Sequence, residues 1–196
     1  MPSDRLYHTS RYTTHMTNPP TFLIVSGPPG SGKSTLAQQL ATRLTWPCIN
    51  RDVIREQQFD ASGHIINHVE VNQRFVAQIN QTLARGSSLV CEAAFQNQLW
   101  QWIIAQLDTP HRIATITCHV PAPMRIARMR QRMLTDHRRS TIHADHELLD
   151  AYHRGDVDPD GFVYINGDWP QLAVDCTDGY QPRVDDVVMW IGTAIR

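Results

Sequence analysis

Eighteen lysine and arginine side chains occur in these 196 residues, and only one of them, Lys33, is a lysine. It lies in Val25–Thr35, "VSGPPGSGKST", where Gly27, Gly32, Lys33 and Ser34 have the Gly-x4-Gly-Lys-Ser spacing of a Walker A loop. The chemistry of that spacing is phosphate binding. Glycines let the loop turn its backbone N–H groups inward, and a helix starting at its end adds a positive dipole. An ammonium is a compact charge on a thin stem that reaches between two phosphates, where a planar guanidinium fits less well. The loop residues Gly27, Pro28, Pro29, Gly30, Ser31, Gly32, Lys33, Ser34 and Thr35 are therefore the expected nucleotide cradle, with the Ser34 hydroxyl on Mg²⁺. ATP and Mg²⁺ are the ligands this predicts.

Further chemistry-bearing residues follow later apolar runs. "INRDVIREQ" puts Asp52 at a strand-to-helix corner, with Arg55 three residues on facing the same cleft; capping the helix is the alternative role for Asp52. "LVCEAAF" ends an apolar run on Glu92, a position suited to orienting Mg²⁺ through water. "HVPAPMRIARMRQRMLTDHRR" carries Arg125, Arg128, Arg130, Arg132, Arg138 and Arg139, opposed locally by Asp136 alone. Arg128 and Arg132, four apart, share a helix face and could close over transferring phosphates; a solvated face is the other reading. His64 with His68, and His143 with His146, have spacings that could hold a metal, but ten histidines make coincidence ordinary. Cys48, Cys91, Cys118 and Cys176 each sit near the end of a different expected strand, as small apolar fillers.

These residues need a scaffold that gathers strand ends. "TFLIVS", residues 21–26, reads as a strand buried on both faces, and apolar positions Leu36, Ala37, Leu40, Ala41 and Leu44 mark one face of a helix. Strands are expected at 21–26, 47–51, 88–92, 112–120 and 171–176. Helices are expected at 33–45, 52–59, 66–85, 97–107, 122–134, 143–153 and 183–195. Alternation of the two predicts an α/β fold, a parallel sheet with helices on both faces. Ligands bind outside the carboxyl ends of such strands, where the candidate residues fall. Residues 155–169 are acidic and turn-rich, and read as a loop or a small hairpin around Asn166-Gly167.

The length fits one domain, and a net charge of −1 gives no general affinity for nucleic acid or membrane. Residues 1–20 lack an apolar core, so they predict a disordered tail rather than a signal peptide, with Met16 as a possible true start, in a cytoplasmic protein.

The chain resembles P-loop kinases of the polynucleotide-kinase, gluconate-kinase and zeta-toxin type. The likeness rests on "GPPGSGKST", "INRDVIR", the carboxylate after the third strand, and "VP" leading into an arginine-bearing helix, over roughly residues 21–177. It implies a three-layer P-loop NTPase fold with sheet order 2-3-1-4-5, a kinase domain over 21–196 and an arginine-rich lid at about 122–142. It also implies roles: Lys33 and Ser34 on the phosphates and Mg²⁺, Asp52 as general base, Arg55 gripping the acceptor, Arg128 and Arg132 closing from the lid, and "DCTDGYQPR" near the adenine. The chain departs from polynucleotide kinases in "CEAAF", where those tend to have an aspartate followed by small polar residues. That leaves the acceptor open between a nucleic-acid 5′ end and a small molecule, which the near-neutral charge favours. A P-loop ATPase or nucleotide-dependent switch without an acceptor is the reading of another class.

Overall fold

The computed structural model describes residues 18–64, 67–136, 142–143 and 145–195. Most of the expected tail, and Arg138 and Arg139 of the arginine run, lie outside the described residues.

Five strands form one sheet: β1 (Thr21–Ser26), β2 (Cys48–Asn50), β3 (Leu89–Ala93), β4 (Arg112–His119) and β5 (Gln171–Asp175). They are ordered β2-β3-β1-β4-β5, and all four pairings are parallel. All six residues of β1 are buried, as expected of a central strand covered on both faces. Among the described residues the helices are, in chain order, α1 (Lys33–Leu44), α2 (Arg51–Ser62), α3 (His68–Ala84), α4 (Asn97–Ile104), α5 (Ala122–Thr135), α6 (Asp145–Arg154) and α7 (Val184–Ala194). The sheet order and layering are those of the P-loop NTPase fold.

Alternation along β1 divides the core. Phe22 and Ile24 join Phe75, Ile79, Leu83 and Trp100 on one face, under α3 and α4. Leu23 and Val25 join Leu36, Leu40, Val187 and Ile191 on the other, under α1 and α7. The Trp100 indole N–H donates to Ser26 Oγ at 3.0 Å, so this large side chain is buried with its polar atom satisfied.

Of the two readings open for residues 155–169 the structure takes the loop: residues 161–167 run as an irregular strap, with no hairpin at Asn166-Gly167. Its backbone is held by side chains of α4, with Asn166 N–H donating to Asn97 Oδ1 and Gln101 Nε2 donating to Asn166 O. Of the two histidines spaced four apart, His64 precedes α3, which begins at His68. His68 Nδ1 lies 3.0 Å from the Arg51 guanidinium.

Candidate active site

The loop between β1 and α1 is shaped by close approach. Gly30 has φ +81°, and a Cβ there would stand 2.6 Å from Arg125 O. At Gly27 a Cβ would meet Cys118 O and Ser31 Oγ at 2.8 Å. Neither position has room for any side chain, which is the local reason for the glycine spacing. Gly32, at φ +84°, starts α1 without a side-chain cap and with no acidic residue in the first turn. The positive end of the helix is left facing the loop.

Lys33 is buried, and its Nζ lies 3.2 Å from Oε1 of Glu92, itself 2% exposed. Asn50 Nδ2 donates to the other carboxylate oxygen of Glu92. Asn50 Oδ1 in turn accepts the N–H groups of Asp52 at 2.7 Å and Val53 at 3.2 Å. A continuous chain of polar contacts thus runs from Lys33 through Glu92 and Asn50 to the first turn of α2. Asn50 is the cap of α2, so the capping role weighed for Asp52 belongs to its neighbour. The Asp52 carboxylate lies 3.8 Å from His143 Nδ1, whose Nε2 is 2.8 Å from Glu56. His143, 5% exposed, therefore bridges two carboxylates one turn apart on α2.

Arg51 and Arg55 lie on the buried face of α2. Arg51 is fully engaged, with Asn72 Oδ1 at 3.1 Å, His68, and its guanidinium 5.4 Å from the Phe95 ring centre. Burial, with Arg51 and Arg55 close by, holds the His68 ring below the usual histidine range. Arg55 is 8% exposed and its Nε has no hydrogen-bond partner, and both amide atoms of buried Gln58 are likewise unpartnered. A buried guanidinium in that state is suited to an incoming anion.

The arginine run separates into different environments. Arg125 is 2% exposed and structural: Nε donates to Val120 O at 3.0 Å and Nη2 to Pro159 O at 2.5 Å, pinning the start of the strap. Arg128 reaches across to Gly30 O at 3.5 Å and to Cys176 O and Thr177 O, both at 2.9 Å. Arg132 pairs with Asp145 at 2.6 Å. Arg130 faces solvent. Arg128 and Arg132 line a cavity of about 420 Å³ together with Gly30, Gly32, Lys33, the exposed Ser34 and Thr35, and Cys176, Gly179 and Tyr180. Lys33, Ser34, Arg128 and Arg132 are thus brought together, with Glu92 behind Lys33. Asp52 and Arg55 belong to the neighbouring α2 region.

Sequence reading gave Asn50 no role of its own, named His143 only as half of a candidate metal pair with His146, and reached Tyr180 only within the segment "DCTDGYQPR". Asn50 carried a readable signal, an Asn immediately before an apolar-periodic helix. His143 and Tyr180 gain their places only through tertiary packing. Among the described residues no group of three or more His, Cys, Asp or Glu is placed to hold a metal, and no described helix is long and apolar enough to cross a membrane.

A family model described as an AAA domain matches residues 22–155. No curated protein matches the chain. Among solved structures, a candidate kinase from Chloroflexus aurantiacus J-10-fl superposes with a TM-score of 0.70 at 23% identity, over 92% of this chain and 100% of that one. A sugar kinase from Janibacter sp. HTCC2649 gives 0.61 at 16% identity, over 90% and 97%. A chain of the Pnkp1/Rnl/Hen1 RNA repair complex gives 0.54 at 21% identity, over 74% of this chain and 48% of that one.

Proposed function

The chain belongs to this AAA domain family, and from that premise we propose that it is a kinase, moving the γ-phosphoryl group of ATP to a hydroxyl of a small molecule. The observation that carries the reading is the cavity of about 420 Å³ that Lys33 and its loop line together with Arg128 and Arg132. Phosphoryl transfer asks a protein mainly for positioning and for positive charge around the phosphoryl oxygens. Residues of both kinds line this one cavity.

In this mechanism the loop N–H groups and Lys33 hold the ATP phosphates. Lys33 exchanges its contact with Glu92 for the phosphates, or shares both. Ser34 and, through water, Glu92 offer hard oxygen donors of the kind Mg²⁺ prefers, and bound Mg²⁺ would neutralise charge on the phosphate oxygens. The acceptor hydroxyl attacks the γ-phosphorus as the bond to the bridging oxygen breaks and ADP leaves. Asp52 orients that hydroxyl and takes its proton, with His143 and Glu56 fixing the carboxylate from behind. Arg128 and Arg132 meet the charge that develops on the transferring group. Arg55 receives an anionic group on the acceptor. Cys176, Gly179 and Tyr180 flank the base end of the nucleotide. The sugar kinase among the structural relatives supports a small-molecule acceptor, whereas the RNA repair chain is matched over less than half its length.

The test is Asp52→Asn, which keeps the shape and removes the charge. At saturating ATP, with a pool of hydroxyl acceptors, transfer should fall about 10²-fold or more while ATP affinity and melting temperature hold. Near-normal transfer by a folded mutant refutes the assignment of the base. ATP hydrolysis that proceeds equally with and without every acceptor refutes the kinase reading in favour of a nucleotide switch.

A further inference from the structure

Asn50 ends β2 and is the register partner of Glu92 on β3. Register partners on adjacent strands put their side chains on the same face of a sheet, so the strand pairing itself brings this amide to that carboxylate. Both ends of the amide are used. Nδ2 donates to Glu92 Oε2, and Oδ1 accepts the N–H groups of Asp52 and Val53. These partners fix which way the amide points, since a carboxylate offers no donor and a backbone N–H no acceptor. Asn50 thus touches both Glu92 and the first turn of the helix that carries Asp52.

The other oxygen of Glu92 lies 3.2 Å from Lys33 Nζ, and the carboxylate is almost wholly buried. ATP phosphates compete with Glu92 for that ammonium. As they draw it away, the carboxylate loses its ion-pair partner, while the contact with the Asn50 amide stays. Ser34 and Asn50 line one cavity of about 270 Å³, so the hydroxyl suited to Mg²⁺ and the amide open on the same space.

We propose that Asn50 is a positioning residue for the metal: its Nδ2 keeps Glu92 aimed toward Mg²⁺ once Lys33 has turned to the phosphates, and its Oδ1 ties that carboxylate to the helix of Asp52. The proposal rests on the kinase reading above for the identity of the ligands. Hydrogen bonds to a carboxylate that serves a metal fix its orientation, and losing one typically costs about 10–100-fold in metal affinity or activity.

Capping alone does not account for the choice of residue. Asn, Asp and Ser cap helices about equally well. Among these, Asn brings an N–H donor beside its acceptor oxygen. An aspartate here would set a second carboxylate against Glu92. A serine hydroxyl stands one bond from Cβ, short of the position of Nδ2.

The experiment measures the ATP affinity of the full chain by calorimetric titration, once with excess Mg²⁺ and once with EDTA, in wild type, Asn50→Ser and Asn50→Ala. Asn50→Ser keeps the cap and removes the donor to Glu92. It should melt close to wild type and bind metal-free ATP as wild type does, through the loop and Lys33. It should lose about tenfold or more of the affinity gained from Mg²⁺. Asn50→Ala removes the cap as well, and should show the same loss together with a lower melting temperature. An Asn50→Ser protein that keeps the full gain from Mg²⁺ overturns the proposal. So does one in which both affinities fall by the same factor, as they would for a residue that only supports the fold. Should Asn50→Ser fail to fold, Asn50→Asp, which also caps, carries the test with the same expected loss. No acceptor enters these titrations. If no hydroxyl compound is phosphorylated, the kinase reading falls and the gain from Mg²⁺ still decides the role of Asn50. A wild-type affinity that ignores Mg²⁺ removes the metal from Glu92, and overturns the proposal with it.

Discussion

Lys33 and Glu92 form a buried ion pair at 3.2 Å. Both are buried, and removing one partner of such a pair leaves an uncompensated charge, at a cost of about 3–5 kcal/mol. Lys33→Ala should therefore do two separable things. It should lower the melting temperature by about 10 °C without nucleotide, at about 2–4 °C per kcal/mol for a chain of this size. It should also weaken Mg-ATP binding, because the ammonium between the phosphates is gone. The double substitution Lys33→Met with Glu92→Leu removes both charges, and should recover most of the melting temperature but none of the ATP affinity. Calorimetric titration beside thermal melts separates the two effects; a Lys33→Ala protein that binds Mg-ATP normally would end the cradle assignment. Arg128 and Arg132 differ in the same manner. Arg132→Ala removes the contact with Asp145, whereas Arg128→Ala removes those with Cys176 O and Thr177 O. If both guanidiniums act on the transition state, each mutant should lose kcat more than ATP affinity. Unchanged kcat in both would reduce the pair to structural anchors of α5.

At the scale of elements, the strap over residues 161–167 and the turn that follows it are governed by groups that their own sequence does not contain. Tyr164 stacks on His119 with ring centres 4.2 Å apart, Trp169 Nε1 donates to Thr115 Oγ1 at 2.7 Å, and Asn97 N–H donates to Val163 O at 2.9 Å. Burial holds His119 below the usual histidine range, against the opposing pull of Asp175 on β5. A ring whose folded pKa is lowered contributes fully above the unfolded value of about 6.5 and loses that contribution as pH falls through and below it. The melting temperature should fall between about pH 7.5 and pH 5.5, and His119→Gln, which does not titrate, should show a smaller fall. An equal fall in both proteins would place the acid sensitivity elsewhere. The strap also marks where sequence reading fails. β1, the glycine loop and α1 were legible because run length, glycine spacing and apolar period are all local. The β2–α2 corner was legible to within a residue, although α2 runs to Ser62 rather than ending at 59 and its cap is Asn50 rather than Asp52. The strap has neither period, and Asn166-Gly167 offered a hairpin signal that the side chains of α4 override. The partners of Arg125, Arg128 and Arg132 were equally hidden: spacing put Arg128 and Arg132 on one face, but only packing decided that Arg125 turns into the strap.

For the whole molecule, the sheet carries separate cores on its two faces, and the site lies at the strand ends where they meet. α1 and α7 cover one face and α3 and α4 the other, while Lys33, Glu92 and Asn50 join α1 to β3 and β2 across the carboxyl edge. A ligand seated there touches the loop after β1, the start of α1, the inner face of α5 and the segment after β5. Unfolding of any of these destroys the binding surface. Binding to the folded state alone stabilises by mass action, about 2.7 kcal/mol at a hundredfold excess over Kd. At about 2–4 °C per kcal/mol, Mg-ATP at that excess should raise the melting temperature by about 5–10 °C, and the rise should grow logarithmically with concentration. ADP should give a smaller rise if Arg128 and Arg132 meet the γ-phosphate, and an equal one if they do not. Lys33→Met with Glu92→Leu should melt near the wild-type temperature without ligand and stay there as Mg-ATP is added. If that double mutant instead follows the wild-type curve, the nucleotide is held somewhere other than the cavity between the loop and α5.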